Sequence, residues 1–192
     1  MQDNKDYPGT LFLIVGNSGS GKDSIIKGVV EKNGPNLKKL IRAKRYITRP
    51  SSATEDNYYI TSQEFKRLAN QGRFALKWHV YGLYYGIPIE IENWLKAGHS
   101  VVVNVSRTII DEAKKKYKNT KVVFIQVPIE TILKRLKNRA RENKIRLEER
   151  IERAKKNQTY SEADFIVDNS GDLAEAIDQL LKYIRKIVIT KE

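Results

Sequence analysis

The sequence predicts an α/β protein in which helices cover both faces of a parallel sheet. Two observations support this prediction: short apolar, β-branched segments alternate with amphipathic segments, and a glycine-rich loop joins the first such pair. With 192 residues and neither an internal repeat nor a flexible linker, the chain is expected to form one domain. Within residues 1–192 we expect a core at about 8–47 and 88–192, a small insertion at about 48–87 and an arginine-rich lid at about 139–150.

The individual elements follow from local patterns. Apolar and β-branched runs predict strands over residues 10–15, 40–47, 74–78, 83–87, 100–105, 121–127 and 164–167. Amphipathic periodicity predicts helices over residues 22–32, 61–70, 90–97, 108–117, 130–140 and 172–187. Thr61 and Glu64 have the spacing of a capping box, and Pro88 and Gly98 are placed as the start and stop signals of the next helix.

The chain has an excess of positive charge. It holds 36 Lys and Arg against 23 Asp and Glu, a formal net charge of +13. Between Lys134 and Lys156, eleven Lys and Arg stand against four Glu, so this segment contains more than half of the excess. Such a charge indicates polyanionic partners, namely nucleic acid, an acidic membrane or small phosphorylated molecules.

Several classes of protein are excluded by composition. The chain has no cysteine and only two histidines, so disulfides, thiolate nucleophiles and zinc–thiolate sites are ruled out. The longest apolar run, Leu11–Val15, has five residues, whereas a membrane span needs about 20. The N-terminal segment lacks the apolar stretch of a secretory signal. We therefore expect a cytoplasmic protein with no membrane partner.

A phosphate-binding loop follows the first predicted strand. Residues 16–22 read Gly-Asn-Ser-Gly-Ser-Gly-Lys, which matches the G-x-x-x-x-G-K pattern in its strand–loop–helix context. Backbone N–H groups of such a loop point at phosphate oxygens, the following helix contributes its positive end, and Lys22 reaches the β- and γ-phosphates. The predicted ATP-binding residues are Gly16, Asn17, Ser18, Gly19, Ser20, Gly21, Lys22, Asp23 and Ser24.

The residue after the loop lysine departs from the usual pattern. A Ser or Thr at that position normally presents its hydroxyl to Mg²⁺, but this chain has Asp23 followed by Ser24. A carboxylate is also a hard oxygen ligand, so we predict Asp23 as the metal ligand, with Ser24 secondary. The alternative is that Asp23 only complements the positive end of the helix.

Residues 10 to about 175, which include the loop, resemble the guanylate-kinase-like branch of the nucleoside monophosphate kinases. The motifs in common are Thr48-Arg49-Pro50 with Glu55, Gly82-Leu-Tyr-Tyr-Gly86, Arg135-Leu136 with Arg139, and Glu142, Arg150 and Asn169. In that family the inserted part binds the acceptor and the arginine-rich part is a lid over ATP. The resemblance therefore implies a P-loop kinase with an acceptor-binding insertion at about 48–87.

The departures from guanylate kinases point to a particular branch. Leu76 stands where guanylate kinases have the glutamate that reads guanine, Ser52 replaces a phosphate-binding arginine, and Arg45 replaces a serine. The blocks in this sequence resemble instead the ribose 1,5-bisphosphate phosphokinase family: Arg45-Tyr-Ile-Thr-Arg49, Leu76-Lys-Trp-His79, Trp94-Leu-Lys-Ala-Gly98, Asn104-Val-Ser-Arg107 and Arg139-Ala-Arg-Glu-Asn143. This resemblance implies transfer of the ATP γ-phosphoryl group to the 1-phosphate of ribose 1,5-bisphosphate, a step of phosphonate breakdown.

The residue types agree with phosphoryl transfer to a phosphate. Such an acceptor is already an oxyanion near neutral pH, so no general base is required, and catalysis depends on positioning and charge neutralisation. Arginine binds phosphate oxygens in pairs and stays charged. The predicted acceptor-binding residues are Arg45, Arg49, Tyr85 and Arg107, and the predicted catalytic residues are Lys22, Arg135, Arg139 and Arg150.

Two other functions remain open. A nucleoside monophosphate kinase for GMP is disfavoured, because Leu76 has no hydrogen-bonding group for a base edge and Ser52 stands in place of a phosphate-binding arginine. A nucleic-acid-binding protein on a retired kinase fold is disfavoured by the intact Gly21-Lys22 pair and the lid arginines. We therefore expect ATP and Mg²⁺ as cofactors and a small phosphorylated molecule, not nucleic acid, as partner. The oligomeric state, monomer or homodimer, is left open.

Overall fold

A computed structural model describes residues 4–33, 40–50, 56–138 and 144–189 of the chain. In chain order the elements are β1 (Leu11–Val15), α1 (Lys22–Lys32), β2 (Leu40–Arg42), β3 (Tyr46–Ile47), β4 (Tyr58–Tyr59), α2 (Ser62–Asn70), β5 (Phe74–Val80), β6 (Leu83–Pro88), α3 (Ile91–Lys96), β7 (Ser100–Asn104), a 3₁₀ turn (Arg107–Ile109), α4 (Ile110–Lys116), β8 (Thr120–Gln126), α5 (Ile129–Asn138), α6 (Lys144–Lys156), β9 (Phe165–Asp168) and α7 (Leu173–Ile189). No helix among the described residues is long and apolar enough to cross a membrane.

The main sheet is parallel and has the strand order β2-β7-β1-β8-β9. Along the central strand β1, Leu11, Leu13 and Val15 pack into one hydrophobic core, with α3 and α4. Phe12 and Ile14 point to the opposite core, with α1, α5 and α7. All five side chains are fully buried, because helices cover both faces of the sheet. The predicted α/β class is thereby confirmed.

A second sheet spans residues 46–88, with the strand order β4-β3-β6-β5. Its long hairpin, β5 and β6, packs Leu76, Trp78 and Ile87 into the same core as one face of the main sheet. The tip of the hairpin is Tyr81-Gly82, where both residues have positive φ, 55° and 72°. This geometry is that of a two-residue hairpin turn that matches the twist of the strands.

The predicted single strand over residues 40–47 is wrong, because the chain changes sheets within it. β2 pairs with β7 of the main sheet, and the Ala43 N–H still donates to the Val102 carbonyl at 3.1 Å. Two residues later the Arg45 carbonyl accepts from the Tyr58 N–H at 2.8 Å, in the second sheet. The local pattern indicates an extended chain, but it does not indicate which strand lies alongside.

Helix α6, like the short strand β4, is an element that the sequence patterns did not predict. Charged residues occupy most of its thirteen positions, so its apolar periodicity is weak and few of its described side chains enter the core. Ala154, near its end, is buried in the core on the Phe12 face. The other helices and strands of the main sheet lie within two residues of their predicted bounds.

A buried ionic cluster lies toward the amino ends of the main strands. Its centre is the Glu92 carboxylate, which accepts from Lys5 at 2.7 and 2.6 Å, from Tyr117 at 2.8 Å and from Tyr7 at 3.2 Å. The Lys116 ammonium lies 3.5 Å away. Burial acts to raise the pKa of Glu92, but the hydrogen bonds from Lys5 and Tyr117 outweigh it and hold that pKa below its usual value. The carboxylate is therefore ionised and matched by its neighbours.

Candidate functional site

A cleft of about 590 Å³ opens at the carboxyl ends of the main strands. Its walls come from the loop after β1 with the start of α1, the residues flanking β3, the residues after β7, the hairpin of the second sheet and helix α6. In open parallel sheets this edge is where ligands bind, because the loops there are free to carry polar groups. The lining includes eight of the nine predicted ATP-binding residues, all except Ser20, whose side chain is buried behind the loop.

The loop after β1 has the backbone of a phosphate-binding loop. Gly16, Gly19 and Gly21 all have positive φ, and Gly21 with a φ of 86° directly precedes α1. A Cβ on Gly21 would lie 2.6 Å from the Asn169 Nδ2, which donates to the Ser20 carbonyl at 2.8 Å. Only glycine therefore permits both this turn and the close approach of the buried Asn169.

The predicted catalytic Lys22 lies within the loop. Its ammonium donates to the Gly16 and Asn17 carbonyls, both at 2.8 Å, and to the Ser20 Oγ at 3.4 Å. These contacts draw the amine across the loop and hold it in the cleft. A phosphate bound by the backbone N–H groups of the loop would lie next to this positive charge.

Asp23 lies in the cleft, where two polar groups face it, one from the end of β7 and one from the segment between β2 and β3. The Asn104 Nδ2 donates to both oxygens of the carboxylate, at 3.1 and 3.2 Å, and the Arg45 guanidinium lies 4.0 Å away. The carboxylate thus has hard oxygen atoms at the cleft surface. No group of three or more His, Cys, Asp or Glu forms a metal cage in the described part of the chain. Mg²⁺ suits such a place, because it is commonly held by one or two carboxylates together with water and substrate phosphates.

The predicted acceptor residues Arg45, Arg49 and Tyr85 line the same cleft. Arg45 is 9% exposed, its Nε donates to the Asn57 Oδ1 at 3.2 Å, and its guanidinium lies 6.0 Å from the Tyr85 ring. The Tyr85 ring stacks on Trp78 with 5.3 Å between centroids. Arg49 is at the mouth, where it donates to the Pro50 carbonyl at 3.2 Å.

Arg107, the fourth predicted acceptor residue, lines the cleft but points its guanidinium at the backbone after α6. It donates to the carbonyls of Asn157 at 2.8 Å and Thr159 at 3.0 Å, and lies 5.0 Å from the Phe124 ring and 5.1 Å from the Tyr160 ring. Burial lowers the pKa of Arg107, but an arginine is not deprotonated in proteins, so the group stays charged.

The predicted lid arginines are distributed differently. Arg150 lines the cleft from α6. Arg135 lies behind the loop, outside the cleft lining, and donates to the Gly19 carbonyl at 3.2 Å. Arg139 lies outside the described residues, as do residues 140–143 of the predicted lid. Their roles remain predictions.

Three site residues make contacts that the sequence did not indicate. Asn104 and Asn169 hold Asp23 and the loop, and Arg153 places its guanidinium 3.5 Å from the ring centroid of Tyr81 at the hairpin tip. This last contact connects α6 with the second sheet across the mouth of the cleft. The partners are far apart in the chain, so no local spacing indicates them, although Asn104 and Asn169 were already among the motif residues.

The cleft is strongly basic. Among the described residues that line it, the cations are Lys22, Arg45, Arg49, Arg107, Arg150 and Arg153, and the anions are Asp23 and Glu149. A cleft lined mainly by one sign of charge attracts ligands of the opposite sign. A ligand with two or more phosphate groups would neutralise the excess, and the arginines would bind its oxygens in pairs.

Known proteins resemble this chain over nearly its whole length. A sequence profile of the guanylate kinase family matches residues 9–187. The chain is 39% identical over 180 residues to the ribose 1,5-bisphosphate phosphokinase PhnN of Enterobacter lignolyticus, covering 92% of each chain. It is 37% identical over 180 residues to the protein of that name from Rhodopseudomonas palustris, covering 93% of this chain and 89% of the other. A solved guanylate kinase from Anaplasma phagocytophilum has the same fold, with a TM-score of 0.70 over 95% of this chain and 87% of its own, at 18% identity.

Proposed function

The chain belongs to the guanylate kinase family and, within it, to the ribose 1,5-bisphosphate phosphokinases, and from this premise we propose that it transfers the γ-phosphoryl group of ATP to the 1-phosphate of ribose 1,5-bisphosphate. An oxygen of the 1-phosphate forms a bond to the γ-phosphorus, while the bond from that phosphorus to the β,γ-bridging oxygen breaks. The products are 5-phosphoribosyl diphosphate and ADP, and the sequence predicts phosphonate breakdown as the setting.

The observation that supports this proposal most is the positive charge of the acceptor half of the cleft, which we define as the part lined by Arg45 and Arg49. Arg45 and Arg49 line it, whereas Leu76, at the position of the guanine-reading glutamate, is 1% exposed and belongs to the core. A buried leucine presents no hydrogen-bonding group to a base edge. This half of the cleft therefore suits phosphate groups on a sugar better than a purine.

The residues divide the work of phosphoryl transfer. The loop N–H groups and Lys22 bind the β- and γ-phosphates of ATP, and Arg45 and Arg49, with Tyr85, bind the acceptor. Arg150, together with Arg135 and Arg139, stabilises charge that develops on the transferred group. Arg107, although predicted to bind the acceptor, donates to backbone carbonyls. No general base takes part, because the attacking phosphate oxygen is already ionised.

Mg²⁺ completes the proposed donor site. When bound, it would supply charge neutralisation for the transferred group. Asp23 is the protein group proposed to hold it, directly or through one water, with Ser24 secondary. Asn104 orients the Asp23 carboxylate through its hydrogen bonds to both oxygens, which keeps these oxygens at the cleft surface.

The proposal extends to partners and compartment. We expect a small phosphorylated molecule as the only substrate besides ATP, no nucleic acid, and a cytoplasmic location. The affinity for DNA would fall steeply as the salt concentration rises, because each neutralised phosphate releases counterions. Salt titration of any DNA binding therefore separates the kinase from a nucleic-acid-binding protein of the same fold.

The test is an assay with ATP, Mg²⁺ and a panel of acceptors: ribose 1,5-bisphosphate, ribose 5-phosphate and GMP. We expect 5-phosphoribosyl diphosphate and ADP to form in equal amounts from ribose 1,5-bisphosphate, with GMP a poor acceptor. Efficient phosphorylation of GMP without turnover of the bisphosphate would contradict the proposal and identify a guanylate kinase.

A further inference from the structure

The end of helix α6 is fastened to the core from two sides. From the phosphate loop, the Asn17 Nδ2 donates to the carbonyls of Ala154 at 3.2 Å and Asn157 at 3.1 Å. From the residues after β7, Arg107 donates to the same Asn157 carbonyl at 2.8 Å and to its side-chain Oδ1 at 3.4 Å. Asn157 therefore joins three segments that are distant in the chain.

Arg107 is built into this junction. Its guanidinium lies against the rings of Phe124 and Tyr160, and it also donates to the Thr159 carbonyl at 3.0 Å. A planar guanidinium that contacts two rings and donates to two carbonyls has little freedom to turn toward a ligand, since turning would break these hydrogen bonds.

Helix α6 places functional side chains over the cleft one turn or two before the junction. Arg150 and Arg153 line the cleft from this helix, and Arg153 lies against Tyr81 of the hairpin tip. A helix is stiff over this length, so the position of its last turn fixes where both guanidinium groups lie. Movement at Asn157 would move them away from the ATP phosphates.

We infer that Arg107 and Asn17 are positioning residues that fix the last turn of α6 through Asn157, and thereby hold the arginines of α6 over the transferred phosphate. This inference rests on the proposed function for the identity of the reaction. It assigns Arg107 a role different from the acceptor binding that the sequence predicted. It also links the phosphate loop, through an Asn side chain, to the helix above it.

The two roles of Arg107 lead to different kinetics. Arg107→Lys keeps the charge but loses the planar fork, and Asn17→Ala removes the other fastening while leaving the loop's backbone N–H groups in place. If both residues position α6, both variants lower kcat by roughly 10- to 100-fold, because small displacements of a charged group are costly in the transition state. The KM for ribose 1,5-bisphosphate then stays within about threefold of the wild-type value.

The experiment measures steady-state kinetics together with hydrogen exchange of residues 148–158, with and without a non-hydrolysable ATP analogue. We expect both variants to exchange faster in this segment and to gain less protection from the analogue than wild type. Lys155→Gln is the matched control, because Lys155 is exposed on the same last turn and pairs only with Glu152 at 3.2 Å among the described residues. It should leave kinetics and exchange unchanged.

Three results would overturn the inference. A rise of roughly 10-fold or more in the acceptor KM of Arg107→Lys, with unchanged exchange, would show acceptor binding instead. Faster exchange with unchanged kcat would show a purely structural fastening. Unchanged exchange in Asn17→Ala would exclude the link to the phosphate loop. If no acceptor is turned over, the proposed function fails, while exchange and its protection by the analogue still decide the inference.

Discussion

At the amino ends of the main strands, the buried carboxylate of Glu92 accepts from Lys5, Tyr7 and Tyr117. At their carboxyl ends, six basic and two acidic side chains of the described residues line a cleft. Both regions are polar and both lie against the same sheet. In the first, charges and hydrogen bonds are matched within the protein, which burial requires. In the second, positive charge exceeds negative charge and faces solvent, as expected where the matching charge arrives with a ligand.

This difference teaches how to separate stability from function in the molecule. Substitutions in the Glu92 cluster, at the amino edge of the sheet, should lower the free energy of unfolding and leave the catalytic rate of the folded enzyme nearly unchanged. Substitutions in the cleft, at the carboxyl edge of the sheet, should lower the catalytic rate and leave the free energy of unfolding nearly unchanged. Each prediction below tests one side of this comparison.

The largest expected effect is that of Glu92→Ala. Removing the carboxylate leaves the ammonium groups of Lys5 and Lys116 partly buried without it, so we expect a loss of about 3–5 kcal/mol in the free energy of unfolding. Urea denaturation measures this loss. Glu90→Ala is the control, because the Glu90 carboxylate forms an exposed ion pair with Arg73 at 3.5 Å, and such a surface pair is worth at most about 1 kcal/mol. Equal losses in the two variants would contradict the distinction.

Lys22→Ala is the corresponding change at the carboxyl edge. We expect kcat to fall by roughly 10²- to 10³-fold, because one donor to the developing charge is lost. The free energy of unfolding should change by no more than about 1–2 kcal/mol, the worth of its hydrogen bonds within the loop. Lys27→Ala, on the exposed side of the same helix, should keep full activity. A large loss of stability with normal kcat would reverse the assignment of Lys22.

Arg49→Gln separates the acceptor half of the cleft from the ATP half. A charged hydrogen bond to phosphate is worth about 1.5–3 kcal/mol, so kcat/KM for the acceptor should fall by roughly 10- to 150-fold. The KM for ATP should stay unchanged. Arg73→Gln removes an exposed arginine of the same insertion, outside the cleft, and should have no such effect. If the KM for ATP rises instead, Arg49 belongs to the donor site.

Asp23→Ala tests whether this carboxylate holds Mg²⁺. If it does, the Mg²⁺ concentration for half-maximal activity should rise by roughly 10-fold or more, and Asp23→Thr should recover part of the loss. If Asp23 only complements the start of α1, the variant should lose about 0.3–1 kcal/mol of stability with an unshifted Mg²⁺ titration. Ser24→Ala provides the comparison with the neighbouring hydroxyl.

The smallest expected effect is a change in acid stability. The pKa of Glu92 is lower in the folded protein than its usual value, so its contribution to stability is present above the usual glutamate pKa and is lost as pH falls through the folded pKa. Glu92→Gln does not titrate, and its urea midpoint should therefore fall less than that of the wild type between about pH 5 and 3. Parallel curves for the two proteins would show that Glu92 is not the linked group.

Much of the fold and of the donor site could be predicted from the sequence. The alternation of buried strands and amphipathic helices is a local property, and it gave the α/β class and nearly all element bounds of the main sheet. The phosphate loop is also local, since its glycines, Lys22 and Asp23 are consecutive. The positions of Arg45, Arg49 and Tyr85 came from motifs, and the structure brings all three to the cleft.

What only the tertiary structure decided concerns partners distant in the chain. Three features depend on such partners: the change of sheets between β2 and β3, the hydrogen bonds from Asn104 to Asp23, and the Glu92 cluster. In each, the residues in contact are far apart in the sequence, and no local pattern indicates that they meet. Arg107 shows this most clearly, because its position at a strand end predicted a ligand-binding arginine, whereas its guanidinium lies against two rings and donates to the carbonyl of Asn157 at the end of α6. Sequence patterns report which face of an element is buried, because burial follows the period of the element. The hydrogen-bond partner of a side chain depends on where the whole fold places the other polar groups, and this is fixed only when the elements pack.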